Sequence, residues 1–279
     1  MTQASADFSA HWSHRMVYLP CDNPDFPCTH EFAAMEMERM RATPVVPRRP
    51  VVVLAGYHAW KFTVGLLARR LHGMVGGPEG MYVSMAYPLS GDIEAIARRV
   101  VREVDARFPA ERGVGGAGGA GGAGVHATTE VDVVGVSMGG LVARAAASLP
   151  LVDGQKRLRI ARLFTLATPH RGAALAERVG VLRPDSAARC MRPGSEFLER
   201  LNAGLASAKY ELVCYARLND TWVGASRTAP PGREPIWVSG TRVLSHITIT
   251  QDARIAVDIA RRLRGEEPLA VKGTRPPRD

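Results

Sequence analysis

Residues 131–142 read VDVVGVSMGGLV, with Gly135-Val136-Ser137-Met138-Gly139 at the centre. The run before the serine is apolar and β-branched, as a buried strand requires, and the segment 140–149 after it is alanine-rich, as a helix prefers. A G-x-S-x-G string that joins a strand to a helix is a sharp turn with a strained serine at its apex. Glycines two residues before and two after it leave room for the chain to pass itself. The turn lifts Oγ clear of the sheet and sets the next backbone N–H, that of Met138, where charge would develop on a carbonyl oxygen. A fortuitous Gly/Ser turn would look the same as a bare string. The flanking strand and helix decide for a nucleophile.

A serine hydroxyl near neutral pH needs a base, and the base needs an acid to orient it. On this type of sheet the three follow one another as Ser, Asp or Glu, His. Two histidines lie downstream of Ser137, His170 and His246. The run 210–218 (YELVCYARL) reads as a buried strand, with Asn219-Asp220 opening the next loop. The run 234–240 (EPIWVSG) reads as another, followed by Leu244-Ser245-His246. Asp220 and His246 therefore each fall just past the carboxyl end of a late strand, the edge where ligands collect in open α/β sheets. Singly, Asp220 reads equally well as a turn-forming residue and His246 as a surface-loop histidine. Jointly, in this order after a nucleophile turn, they read as its partners.

His170 competes as the base. It ends the run 163–172 (LFTLATPHRG), but no acid stands at a strand end between it and Ser137, since Asp153 lies in a polar loop. It is read as a structural or pocket-lining residue. The second oxyanion donor belongs in the loop after the first core strand, 50–55 (PVVVLA), which leads into Gly56-Tyr57-His58-Ala59. The Tyr57 N–H is the first choice and His58 the second, against the reading of a plain glycine turn.

The strings VVVLAGYHAW, VDVVGVSMGGLVAR, LFTLATPHRGAALA and MRPGSEFLERLN, with the Asp220 and His246 loops, span roughly 50–263. They resemble serine hydrolases of the α/β-hydrolase superfamily, in the branch of bacterial lipases and esterases with the related GPI inositol-deacylase-like proteins. The resemblance implies carboxylic ester hydrolysis. One departure is visible. The family usually carries His-Gly after its first core strand, where this chain has Ala55-Gly56, so the loop-anchoring hydrogen bond of that imidazole is lost.

The order of elements gives the fold class. Apolar strand runs at 50–55, 81–86, 131–136, 160–167, 211–217 and 235–239 alternate with helical patterns at 60–71, 93–108 and 139–149, and 252–263 closes the chain. Such alternation predicts an α/β fold with a mostly parallel central sheet and helices on both faces. Before it, 1–49 reads as an irregular segment with one Met-rich helical stretch near 32–41, packed on or beside the core. After it, 266–279 reads as a basic, flexible tail. The tract 113–124 (GVGGAGGAGGAG) cannot pack a core and reads as a flexible loop. The insertion 172–209 is long enough for two short helices, one of them 195–205 with Ser195 as cap and Leu198, Leu201 and Leu205 on one face. It reads either as a small lid or as a packing excursion, and Leu182 and Phe197 are its candidate pocket residues together with His58 and His170.

At 279 residues the chain suits one domain, 50–265 with its flanks, large enough to bury a substantial core. No run approaches a bilayer span, and the first sixteen residues lack a basic and apolar leader, so cytoplasmic residence is the default expectation. The net charge of +9 invites a nucleic-acid reading. The arginines are spread, as at 69–70, 98–99 and 261–262, on what read as solvated helix faces, and no aromatics interleave them, so nucleic acid is not expected. Weak attraction to anionic lipid stays open. Cys21, Cys28, Cys190 and Cys214 lack metal-ligand spacing and read as free thiols, with a Cys21–Cys28 disulfide as the lesser alternative. No metal or cofactor is called for. The expected substrate is a small-molecule or lipid ester. Acyl transfer or thioester cleavage would use the same acyl-enzyme, and a non-catalytic binding protein would not need the three polar residues.

Overall fold

A computed structural model describes residues 22–59, 61–88, 91–109, 127–149, 156–179, 186–241 and 244–279. Among these residues six short strands form one sheet: β1 (Val51–Leu54), β2 (Tyr82–Met85), β3 (Val131–Val136), β4 (Ile160–Leu166), β5 (Glu211–Arg217) and β6 (Ile236–Val238). Their order is β2-β1-β3-β4-β5-β6. Every pairing is parallel, so the sheet is more uniform than expected. Helices between successive strands from β1 to β5, and a long loop between β5 and β6, make this possible, because a chain that crosses back over a face re-enters the sheet in the same direction.

The helices are α1 (His30–Ala42), α2 (Lys61–Val75), α3 (Ile93–Arg107), α4 (Met138–Ser148), α5 (Ala174–Val179), α6 (Ser186–Cys190), α7 (Glu196–Ala203), α8 (Ser245–Thr248) and α9 (Ala253–Arg264). Strand side chains alternate, so Val51 and Val53 join α1, α2 and α9 in one core while Val52 and Leu54 join α3, α4 and α7 in the other. Helix starts follow their caps. Thr29 accepts the Phe32 N–H, Asp92 those of Glu94 and Ala95, and Ser195 that of Leu198. Gly265, at φ 77°, ends α9 in the left-handed conformation.

Several expectations change. Residues 266–279 pack back on the domain and do not hang free. The Leu269 N–H donates to Asp258, the Thr274 N–H to the Pro235 carbonyl and the Ser226 N–H to the Asp279 carboxylate, and Ala270 is buried. Among its described residues the insertion holds three α-helices, α5 to α7. Leu198 and Leu201 are buried against the α3–α4 side, but Leu205 is only half-buried. The arginines are not all solvated: Arg144, Arg217, Arg254 and Arg262 are buried. The Gly/Ala tract 113–124, Leu182 and Cys21 lie outside the described residues. Cys28, Cys190 and Cys214 are free thiols. Among the described residues no helix is long and apolar enough to cross a membrane.

Candidate active site

β3 is a central strand, and the chain leaves its end through Ser137 at φ 51° and ψ −123°. No side chain favours that conformation, and it persists because the surrounding backbone fixes it. A Cβ on Gly135 would sit 2.5 Å from the Gly140 Cα, and one on Gly139 2.5 Å from the Leu54 carbonyl oxygen. Both neighbours are main chain and cannot step aside. The Ser137 N–H donates to the Leu166 carbonyl at 2.7 Å, and Thr168 Oγ1 donates to the Ser137 carbonyl at 2.8 Å. The turn is thus tied to β4 while Oγ is left at the carboxyl edge of the sheet. Met138 opens α4, so its N–H belongs to the first turn, where intrahelical acceptors are missing.

Two later loops converge on that oxygen. His246 Nε2 is 3.0 Å from Ser137 Oγ, and His246 Nδ1 is 2.8 Å from Asp220 Oδ2. A carboxylate only accepts, so Nδ1 carries the proton and the Nε2 lone pair faces the hydroxyl. The other carboxylate oxygen, Oδ1, accepts the N–H groups of Trp222 and Val223, each at 3.0 Å. Asp220 therefore shapes its own turn and holds His246 Nδ1 at once. Its side chain is fully buried, and that of His246 is 10% exposed. The helix α8 that carries His246 is pinned to the end of β5. Ser245 Oγ shares its proton between the Leu218 and Thr241 carbonyls, and Arg217 donates to Thr248 Oγ1. Trp222 covers one face of the imidazole.

The loop after β1 passes over the serine. A Cβ on Gly56 would lie 3.0 Å from Ser137 Cβ and 3.6 Å from Oγ, so only glycine lets the main chain come this close. The Tyr57 amide follows directly. A cavity of about 500 Å³ opens beside Ser137 and His246, with Tyr57, His58, Pro169, Trp222 and Val223 among its walls. The inserted segment completes it with Ala173, Leu175, Ala176, Ala188 and Met191. None of the described lining residues carries a carboxylate, ammonium or guanidinium group. Two of the lining residues, Leu175 and Trp222, are large apolar side chains that reach the surface. Among the described residues no three His, Cys, Asp or Glu side chains gather as metal ligands.

Of the residues expected at the site, Ser137, Asp220, His246, Tyr57, Met138 and His58 come together. His170 and Phe197 do not. His170 is wholly buried beside α4, where Arg144 Nη1 donates to its Nδ1 at 2.8 Å and its Nε2 meets Thr165 Oγ1 at 3.1 Å. Guanidinium can only donate, so His170 is neutral at Nδ1, and burial with the nearby Arg144 cation holds its pKa well below the ordinary value. Phe197 packs in the core with Leu198 and Leu201. Burial raises the Cys28 thiol to about 12 and that of Cys214 to about 11, which leaves both as poor nucleophiles. Sequence reasoning missed Trp222, two residues past Asp220, and the small side chains of the cavity wall. An aromatic next to the acid was the available signal for the first, and alanines spaced through the insertion give none for the second.

The PGAP1-like alpha/beta domain matches residues 123–182, well short of half the chain. No curated protein matches the chain by sequence. Phospholipase PlaB from Legionella pneumophila superposes with a TM-score of 0.54 at 14% identity, over 80% of this chain and 60% of that one. The propeptide form of lipase BlEst2 from Bacillus licheniformis superposes at 0.51, also at 14% identity, over 83% of this chain and 53% of that one. This chain thus spans less than two thirds of the length of either. At such identity the likeness is one of fold, and the fold is that of the α/β hydrolases.

Proposed function

We propose that the protein hydrolyses carboxylic esters with an apolar acyl group, through an acyl-enzyme on Ser137. The observation that carries this reading is the relay from Asp220 through His246 to Ser137, at 2.8 and 3.0 Å. His246 Nε2 takes the Ser137 proton as Oγ bonds to the ester carbonyl carbon. The resulting oxyanion accepts the N–H groups of Met138 and Tyr57, and Asp220 stabilises the imidazolium. When the tetrahedral centre collapses, the alcohol leaves with the proton from His246. Water then attacks the acyl-enzyme while His246 takes its proton, the acid departs, and the proton returns to Ser137. The uncharged cavity wall supports an apolar acyl chain over a charged one.

Turnover of p-nitrophenyl butyrate tests this. The wild type should hydrolyse it, and Ser137→Ala should lose activity by several orders of magnitude with little change in thermal melt. Near wild-type turnover by the variant would remove the mechanism.

A further inference from the structure

The oxyanion loop is short and bends under strain. Within it His58 sits at φ 50°, a left-handed conformation that a residue with a Cβ adopts only when its surroundings demand it. The loop closes on itself through the Ala59 N–H on the Gly56 carbonyl at 3.2 Å, while Gly56 lies against Ser137. A turn this tight fixes the loop's shape. It does not fix the angle at which the Tyr57 amide faces the serine.

One contact does. His58 Nδ1 stands 2.5 Å from the Pro88 carbonyl oxygen, in the loop that follows β2. A carbonyl only accepts, so Nδ1 carries the proton and donates. The Pro88 ring fixes its own φ and confines Tyr87 to extended backbone, which narrows the conformations open to this segment. Tyr87 is held in turn, with its hydroxyl on Met85 Sδ and the Arg99 guanidinium over its ring. The Tyr57 ring packs edge-on against the His58 imidazole, with centroids 4.0 Å apart. The side chain next to the donor amide is therefore braced by the anchored ring.

We infer that His58 is a positioning residue for the oxyanion hole: by clamping residues 56–59 to Pro88 it aims the Tyr57 N–H at the carbonyl oxygen of an ester on Ser137. This rests on the ester-hydrolase reading. His58 is exposed, so a contribution to core packing does not explain the contact. Because it also lines the cavity, contact with the substrate is the competing role. The two separate in kinetics. A donor aimed at the oxyanion acts only in the transition state and moves kcat, whereas a wall contact acts on bound substrate and moves KM.

The experiment compares His58→Gly, His58→Ala and His58→Asn with p-nitrophenyl butyrate as substrate and butylboronic acid as a tetrahedral mimic. Glycine relieves the strained φ but removes the clamp. Asparagine tolerates the left-handed region and offers an amide N–H from nearly the position of Nδ1. His58→Gly and His58→Ala should lose about tenfold or more in kcat at nearly constant KM, a part of the 10²–10³ that loss of a whole oxyanion donor costs. Boronic acid affinity should fall in parallel, and His58→Asn should regain most of both. All three should melt close to the wild type. Unchanged kcat in the glycine variant, a raised KM with intact kcat, or an asparagine variant as poor as glycine would each overturn the assignment. A wild type that neither hydrolyses the ester nor binds the boronic acid would instead remove the hydrolase reading, and this inference with it.

Discussion

Trp222 lies over the face of the His246 imidazole, with ring centroids 5.0 Å apart and planes inclined by 26°. The indole comes from the loop that supplies Asp220, and the main-chain N–H of Trp222 donates to that carboxylate. One short segment therefore fixes the histidine edge-on through the acid and face-on through the aromatic ring. Stacked aromatic pairs contribute about 0.5–1.5 kcal/mol beyond area burial, which as ring positioning amounts to about two- to tenfold in rate. Trp222→Ala should lower kcat/KM by that factor, and Trp222→Phe should recover most of it. Equal loss in both variants, measured on one ester, would mean that the ring does not position the histidine.

Removal of the acid should cost less than removal of the base. In Asp220→Asn the remaining carbonyl oxygen can keep the Trp222 and Val223 amides, but the new NH₂ faces His246 and favours the wrong tautomer. Turnover should fall by orders of magnitude, yet less than in His246→Ala. His170→Ala, where it folds, should retain activity. Steady-state kinetics that reverse the order of the two histidines would reassign the base.

Acyl preference should follow the small side chains of the inserted segment. Ala176→Phe and Ala188→Phe fill the cavity wall, and each methylene shut out of it costs about 0.8 kcal/mol, or roughly fourfold. Across an ester series from acetyl to palmitoyl, both variants should shift toward shorter chains. Phe197→Ala should leave that profile alone and instead lower stability by about 3–5 kcal/mol, because Phe197 fills the core. A shifted profile in Phe197→Ala with none in the alanine variants would reverse this assignment.

Stability should fall with acidity before the carboxylates titrate. His170 is held neutral in the folded state, its pKa depressed by burial and then by the Arg144, Arg171 and Arg233 cations. The unfolded chain binds a proton there near pH 6.5 that the folded one refuses. Its contribution is thus complete above about pH 6.5 and is lost as pH falls below it, with a limiting slope of about 1.4 kcal/mol per pH unit. His30, also depressed by burial, acts in the same direction. Urea midpoints from pH 7.5 to 5 should fall in the wild type and fall less steeply in His170→Gln, whose amide oxygen can still accept from Arg144. Equal slopes would contradict the buried neutral histidine.

The sharp strand-to-helix turn at Ser137 was legible in 131–142 because strand, glycines and helix are local signals that agree with one another. Asp220 and His246 were legible by order, since each follows a strand at the same sheet edge. Pairings across the chain were not. Ala55 suggested a loop without its anchor, yet the imidazole of His58, three residues on, reaches Pro88 thirty positions away. Arg144 looks like any helix arginine until α4 is packed, when it bridges His170 and the Leu201 carbonyl. The polar and basic composition of 266–279 suggested a loose tail, because nothing in that composition reveals that Asp258 and Pro235 receive its amides.

The most direct test of the central claim is intact-mass and peptide-mapping analysis after exposure to a fluorophosphonate, which reacts only with an activated serine. One adduct per chain, mapped to Ser137 and absent from both Ser137→Ala and His246→Ala, is the predicted result. No adduct on the folded wild type, or an adduct on a different serine that persists in Ser137→Ala, would contradict it.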